Sequence, residues 1–155
     1  MSQPTPTRQA INLAVFALLQ ALPGVKTVSR RWRPWSDVVH EQQPAVFLTG
    51  GPEHPKHDAS GLATIWTRSF DCCMYNFSED TNTAPLDLLS SYIDAIEAAL
   101  NPPSNMPPGF PSTVQVLGDQ SGHIRHAWLS DIHTDDGSLD GQAIALFSIE
   151  VEVIS

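Results

Sequence analysis

The clearest alternation of apolar and polar residues lies at the C-terminal end of the chain. Between Gln142 and Ile154 every second residue is apolar, as in a β-strand that buries one face. Glu150 and Glu152 fall on the opposite face, which we expect to meet solvent. Ile144 and Leu146 indicate that this opposite face is covered near the start of the strand. The predicted buried face carries Ala143, Ala145, Phe147, Ile149, Val151 and Val153.

Two segments have the helical period instead. In residues 7–22 the apolar positions recur three and four apart, Thr7 is placed to cap the first turn, and Pro23-Gly24 ends the pattern. A second helix is predicted to begin at Pro85, because proline is favoured in the first helical turn. Its apolar stripe consists of Leu86, Leu89, Ile93, Ile96 and Leu100.

The other regular segments have the composition of strands and turns. Proline and glycine predict loops at 50–61 and 101–112, and Asp136-Gly137 predicts a hairpin turn. The element order α-β-β-β-α-β-β-β predicts a single α+β domain over residues 1–155. We expect about six mainly antiparallel strands, with both helices packed on one face of the sheet. Besides the last strand, strands are predicted at 25–31, 45–49, 62–77, 113–117 and 124–132.

Charge is unevenly distributed along the 155 residues, which carry a formal net charge of −9. Residues 1–36 contain five of the eight lysines and arginines and no acid, so they carry +5 and the rest carries −14. An acidic chain argues against nucleic-acid binding as the main role. The division is either an accident of surface composition or a sign of head-to-tail contacts, in which a basic edge meets an acidic edge of a neighbouring copy.

No segment of the sequence is typical of a leader or a membrane span. Residues 1–8 are polar, and the apolar run at 11–22 is too short to cross a bilayer, so we expect a protein that stays in the cytoplasm when made and enters no membrane. The adjacent Cys72 and Cys73 would point to opposite faces of a strand, so no disulfide is expected between them.

Motifs for catalysis or metal binding are not apparent. His54 and His57 lie in a predicted loop, and the histidines at 123, 126 and 133 do not share one strand face, so no metal or cofactor is expected. A nucleophile elbow and a phosphate-binding loop are both missing from the sequence. The chain is therefore predicted not to be an enzyme, although an acid–base pair that assembles only in space would escape this reasoning.

The strongest candidate for a functional surface is the basic, aromatic run at residues 30–35. Tryptophan and arginine are the residue types most enriched at binding hot spots, which favours an interface. The alternative is a strand end whose tryptophans close the core and whose arginines are solvated. Nucleic-acid binding by the same run is a weaker third option, because the chain is acidic. The predicted subunit or partner interface consists of Arg30, Arg31, Trp32, Arg33, Trp35, Glu150 and Glu152.

Three stretches carry a resemblance to a known family. They are residues 31–35 with 43–48, the helix at 86–100, and an ending made of 118–128, 136–137 and 141–145 before the last strand. In this order and spacing, over residues 7–154, they resemble the tail terminator family of tailed bacteriophages, also called tail completion or minor tail proteins. None of the three stretches is a catalytic signature.

The resemblance implies an α+β fold and a structural role in the virion. Such proteins form a ring, typically a hexamer, on the head-proximal end of the tail tube, where the ring stops tube polymerisation and offers a surface for head joining. The implied partners are further copies of the chain, the tail tube protein and a head-completion or neck protein. DNA would pass through the lumen without specific binding, because an acidic wall repels it.

The sequence is also compatible with other functions. A head-completion or neck protein would share the small size and the acidity, and only its binding partner would distinguish it from a terminator. A small-ligand-binding or enzymatic α+β domain would need a deep pocket with convergent polar groups. A host adaptor that resembles phage proteins would not be encoded beside genes for a tail tube and a tape measure.

Overall fold

The α+β class predicted from the sequence is confirmed by a computed structural model, which describes residues 4–57, 64–101 and 116–155, without the side chains of 137–139. Two helices and one five-stranded sheet make up this part of the chain. The sheet order is β1-β2-β3-β5-β4. The elements are α1 (Arg8–Gln20), β1 (Thr27–Ser29), β2 (Ala45–Lys56), β3 (Ile65–Phe77), α2 (Pro85–Leu100), β4 (Ile124–Leu139) and β5 (Gln142–Ile154).

The sheet is mixed, and within the described ranges it has five strands, not six. β2, β3, β5 and β4 pair antiparallel, but the three-residue β1 lies parallel to β2, with Thr27 opposite Ala45. The strand predicted at 113–117 is not seen where it can be checked. Residues 113–115 lie outside the described ranges, and Val116–Gly118 is a 3-10 turn. Leu117 has a φ of 52°, which an extended strand does not accommodate.

Both helices pack on the same face of the sheet, as predicted. α1 buries Ile11, Val15 and Leu19, and α2 buries its predicted stripe from Leu89 onward against the apolar face of β5. Burial of each such side chain stabilises the fold by about 1.5–3 kcal/mol. The predicted cap of α1 is also confirmed, because the Thr7 hydroxyl accepts a hydrogen bond from the Ala10 N–H at 3.1 Å.

The start of α2 is capped from a distant strand. Pro85 begins the helix as predicted, but Ala84 at the N-cap position offers no side-chain acceptor. Asp136 of β4 takes that role, and its carboxylate accepts a hydrogen bond from the Leu86 N–H at 3.3 Å. The Asp-Gly pair assigned to a turn in the sequence therefore contributes instead to the contact between strand and helix.

The prediction of a hairpin turn at Asp136-Gly137 is wrong, because the chain turns at its second Asp-Gly pair. β4 continues to Leu139, which pairs with Gln142, so Asp140 and Gly141 form a two-residue turn. Their φ angles of 48° and 84° are both positive, as a type I′ turn requires. β4 is longer than the strand predicted at 124–132, and a register shift between Asp136 and Leu139 accommodates part of the additional length.

The predicted loop at 50–61 is also wrong where the structure describes it. β2 continues to Lys56 and pairs with β3, with a register shift between Gly50 and Glu53. Pro52 and Pro55 fit this strand because β1 pairs only with residues 45–47, so no described strand requires N–H donors from the outer edge of β2 there. Residues 58–61, and all but Asn101 of the predicted loop at 101–112, lie outside the described ranges.

Residues within the described ranges cover the second face of the sheet only in part. Residues 30–44 cross one end of it, and Val38 packs there with Phe47 and Tyr75 in a small second core. Ile144 joins this cluster, so the prediction that the polar face of β5 is covered at its start is confirmed for Ile144. It is wrong for Leu146, which is 47% exposed because the cover ends before it.

A buried pair of amides holds this cover to the sheet. Gln43 Nε2 donates to Gln142 Oε1 at 3.1 Å, and Gln142 Nε2 donates back to Gln43 Oε1 at 2.9 Å. The pair also reaches the main chain, through Gln43 to the Val38 carbonyl and through Gln142 to the Asn76 carbonyl, both at 3.1 Å. Since both side chains are at most 3% exposed, these bonds are made in a dry environment, where losing one is costly.

The turn that leads into β4 depends on Asp119. Its carboxylate accepts hydrogen bonds from the N–H groups of Ser121 and Ile124 and from the Ser121 hydroxyl, at 2.6–3.0 Å. Burial acts to raise the pKa of Asp119, but these hydrogen bonds outweigh it and hold the pKa below its ordinary value. The ionised carboxylate is therefore a stabilising element of the turn.

We expect Asp119→Asn to lower the free energy of unfolding by about 1–2 kcal/mol at pH 7. A carboxyl whose pKa falls on folding stabilises the protein above its unfolded pKa of about 3.9, and this stabilisation is lost as the pH falls through the folded pKa. Urea unfolding between pH 7 and pH 2 should therefore show the wild type losing its advantage over Asp119→Asn at the acid end. The exposed Asp94→Asn is the control, and a gap between wild type and Asp119→Asn that is independent of pH would contradict the assignment.

Candidate subunit interface

The run at 30–35 leaves the sheet after β1 and crosses the partly covered face. The Ser29 hydroxyl accepts a hydrogen bond from the Arg31 N–H at 3.0 Å, which turns the chain out of the strand. Trp32 is 56% exposed and Trp35 is 39% exposed. The alternative in which both tryptophans close the core is therefore wrong.

Arg33 and Trp32 are fixed against the sheet. The Tyr75 hydroxyl donates to the Arg33 carbonyl at 2.9 Å, and the Arg33 guanidinium lies 5.5 Å from the centre of the Phe47 ring. The Trp32 side chain lies beside Phe47 and Cys73, with which it lines one cavity. These contacts fix the backbone of the run at Trp32 and Arg33.

The other three basic or aromatic residues of the run, Arg30, Arg31 and Trp35, have different surroundings. The Arg30 guanidinium lies 6.0 Å from the Phe16 ring, on the side of the molecule that carries α1. Arg31 is exposed, and its side chain forms no hydrogen bond or ion pair with any residue that the structure describes. Arg31 and the exposed Trp35 are therefore available to a partner, whereas Arg30 and Arg33 are partly engaged within the chain.

A cavity of about 530 Å³ opens beside Trp32 on the uncovered part of the sheet. Phe47, Cys73 and Leu146 provide apolar surface, and the carboxylates of Asp71 and Asp131 lie at the same cavity. We call this the Trp32 cavity. Asp71 is held by a hydrogen bond from the Ser148 hydroxyl at 3.0 Å, and Asp131 lies at a register shift of β4 with a φ of 52°.

Sequence reasoning missed the two acids of this cavity. Asp71 could have been noticed, since it interrupts the apolar residues of β3 at a position that faces away from the helices. Asp131 could not, because its position depends on a register shift that no local pattern announces. Acids on this face of the sheet are therefore more numerous than Glu150 and Glu152 alone.

Glu150 and Glu152 lie on the same sheet face but beyond the cavity. Glu150 pairs with Ser69 and Trp128, and its carboxylate accepts a hydrogen bond from the Ser69 hydroxyl at 3.3 Å. Two residues along a strand span about 7 Å, so Glu150 is about that far from Ser148, which lines the cavity. The structure thus brings Trp32 together with Asp71 and Asp131, and not with the two predicted glutamates.

The thiols of this region are not activated. Burial raises the pKa of Cys72, and the Asp71 charge adds to that effect. Burial likewise raises the pKa of Cys73, although hydrogen bonds from Tyr75 and Trp32 partly offset it. A thiol with a raised pKa is a poor nucleophile at neutral pH. Within the described ranges, no three histidine, cysteine or acidic side chains converge on one point that could hold a metal ion.

A second cationic group lies at the far end of the sheet, under α1. The Glu53 carboxylate forms an ion pair with the Arg8 guanidinium at 3.0 Å. It also lies 3.9 Å from the Nε atom of Arg68, whose side chain is only 9% exposed. Nε and Nη1 of Arg68 have no hydrogen-bond partner among the described residues. Desolvation lowers the pKa of Arg68, while the Glu53 charge raises it. Arg68 is therefore a buried cation that the described residues compensate only in part.

We expect Glu53→Gln to destabilise the fold by about 1–2 kcal/mol, because Arg68 would lose its nearest counter-charge. Arg68→Met should be neutral or slightly stabilising, since removing a poorly compensated buried ion together with its desolvation cost is often favourable. Urea unfolding of both variants at neutral pH tests the pair. A loss in Arg68→Met larger than that in Glu53→Gln would show that the guanidinium is a net stabilising group.

Comparison with known proteins bears on the fold. No family model matches the chain, and neither does any curated protein. No helix in the described ranges is long and apolar enough to cross a bilayer. The fold is similar to that of a chain in the solved structure of the virion of a native gene transfer agent (GTA) particle. The TM-score is 0.50 at 9% sequence identity, and the match covers 94% of this chain and 95% of the other, so the likeness concerns the fold over nearly its whole length.

Proposed function

We propose that this protein is a structural component of a phage-like virion, without enzymatic activity, and that it acts as a tail terminator. The observation that supports the virion role is the fold likeness to a chain of the gene transfer agent virion, which extends over 94% of this chain. The finer assignment rests on the resemblance of residues 7–154 to tail terminators. In this role the protein caps the head-proximal end of the tail tube, stops its growth and provides the surface to which the head is joined.

The proposed assembly is a ring of copies, a hexamer by resemblance, in which each copy contacts the next head to tail. The exposed Arg31 and Trp35 supply a basic, aromatic surface, and the acids of the uncovered sheet face supply its complement. Head-to-tail contacts close into a ring when the rotation between neighbours divides a full turn. With a net charge of −9, such a ring would repel DNA passing through its lumen.

The proposed function is tested by electron microscopy of particles assembled without this protein. Overlong, headless tail tubes would support the terminator role, because an uncapped tube continues to grow. Tails of normal length that fail to join heads would replace it by a neck or head-completion role. Normal infectious particles would contradict every structural role proposed here.

We expect Arg31→Glu to abolish ring assembly while leaving the fold intact. The exposed side chain makes no ion pair within the described residues, so reversing its charge should cost little stability but place like charges at the contact. Rings are counted by negative-stain microscopy on purified tubes, and circular dichroism checks the fold. Arg125→Glu, an exposed charge reversal on β4, is the matched control. Rings of Arg31→Glu as abundant as those of the wild type would exclude the basic run from the contact.

A further inference from the structure

The Trp32 cavity has the chemistry of a site for a cation carried on an apolar stem. The indole of Trp32 offers the type of ring face that best attracts a guanidinium or ammonium group. Phe47 and Leu146 give apolar surface for methylene groups, and Asp71 and Asp131, which also line the cavity, supply negative charge. An arginine or lysine side chain beside an aromatic residue satisfies all three features at once.

The chain itself displays such a group. Of its eight lysines and arginines, five lie in residues 1–36, and in that segment Arg31 is exposed without a side-chain hydrogen bond or ion pair to the described residues. Four residues further on, Trp35 exposes 39% of its surface. We propose that the Trp32 cavity is the receiving site for Arg31 and Trp35 of a second copy. This inference rests on the proposed function, since it identifies the contact that would join neighbouring copies.

The two halves of this contact lie on different parts of each copy. Trp32 lines the cavity, whereas Trp35 lines a separate depression with Val38, Val39 and His40. A copy can therefore receive one neighbour while it is received by another, which is the condition for a head-to-tail ring. The cavity acids, rather than Glu150 and Glu152, are then the principal counter-charges.

The test uses a synthetic peptide of residues 29–36, capped at both ends, and the full-length protein labelled with ¹⁵N. To keep the protein monomeric during the titration it carries Arg31→Glu, which leaves the cavity unchanged. We expect peptide-induced shifts of the Leu146 and Ser148 amide signals, and weaker binding as salt is raised. The double variant Asp71→Asn with Asp131→Asn should weaken binding on the order of fivefold to tenfold. The double variant Asp94→Asn with Glu97→Gln, on the exposed face of α2, is the matched control.

A second variant keeps the proposal testable if the double aspartate variant fails to fold. Leu146→Ser removes apolar surface from a residue that is already 47% exposed, so it should fold and still weaken binding, whereas Leu88→Ser on α2 should not. The inference would be overturned if the peptide saturated the protein without shifting the amide signals at the cavity. It would also be overturned if a peptide carrying Arg30→Glu and Arg31→Glu bound with the same affinity. If the Asp71→Asn, Asp131→Asn protein forms rings normally while Arg31→Glu does not, the Trp32 cavity is not the receiving site, but the proposed function stands. If particles lacking the protein are normal although the peptide binds at the cavity, the self-contact stands and the proposed function fails.

Discussion

Gln142→Glu is expected to lower the free energy of unfolding by about 3–5 kcal/mol at neutral pH. Gln142 is 2% exposed, and its amide nitrogen donates to the side chain of Gln43 and to the carbonyl of Asn76. A carboxylate has no N–H to donate, so it would face the same oxygens with a negative charge that water cannot reach. Urea unfolding at neutral pH measures the loss.

The pH dependence of this variant separates charge from lost hydrogen bonds. An introduced carboxyl buried among oxygens has a folded pKa above the ordinary value of about 4.3. The charge penalty is therefore complete above the folded pKa and falls away as the pH drops toward 4, relative to wild type at the same pH. Gln142→Met, which loses the same bonds without a charge, should show a smaller loss that does not change with pH. The exposed Gln9→Glu controls for the added charge, and equal losses in the two Gln142 variants at neutral pH would contradict the argument.

Gly141→Ala is the second substitution with a large expected effect, a loss of about 3–4 kcal/mol. Gly141 has a φ of 84°, which costs an L-residue about 1–2 kcal/mol. A Cβ at this position would also lie 2.6 Å from the carbonyl oxygen of Ser78, which is main chain and cannot rotate away. The Gly141 carbonyl already accepts the Ser78 N–H at 3.0 Å, so relieving the contact would break that bond.

The chain contains a matched control for the two causes. Gly122 has a φ of 73° but open space where a Cβ would be, so Gly122→Ala should lose only the backbone contribution, about 1–2 kcal/mol. Thermal unfolding of both variants under one set of conditions gives the difference, which isolates the contact with Ser78. If the two alanine variants are equally stable, the close approach of the hairpin turn to Ser78 plays no part in holding the β4–β5 hairpin.

Elements with a long, regular pattern could be predicted from the sequence, because their periodicity directly reports which face is buried. β5 begins and ends at the predicted residues, and α2 begins at Pro85 as predicted. The errors arose where tertiary pairing decided between local alternatives. Two Asp-Gly pairs compete for the hairpin turn, and the register with β5 selects the second. β2 continues through two prolines because no described strand pairs with its outer edge at that point, which no local signal reveals.

The basic run of the candidate site could be predicted from the sequence, whereas its geometry and the acids of the cavity could not. The basic run attracts attention because two tryptophans and three arginines fall within six residues. Its division into fixed and free side chains depends on Tyr75 and Phe47, which are distant in sequence. The acids of the Trp32 cavity come from two strands that become neighbours of β5 only in the folded sheet. Charge composition predicts that complementary surfaces exist, whereas the pairing of strands decides where they lie.

The prolines of β2 have a consequence for how copies of this chain can meet. Beyond residue 47 no described strand pairs with the outer edge of β2, and Pro52 and Pro55 have no N–H to offer an incoming strand. Edge-to-edge stacking of sheets, which has no natural end and leads to insoluble fibres, is therefore obstructed on this side. Copies that accumulate at high concentration before assembly therefore associate preferentially through side-chain contacts. Such contacts can form a closed assembly with a fixed number of copies.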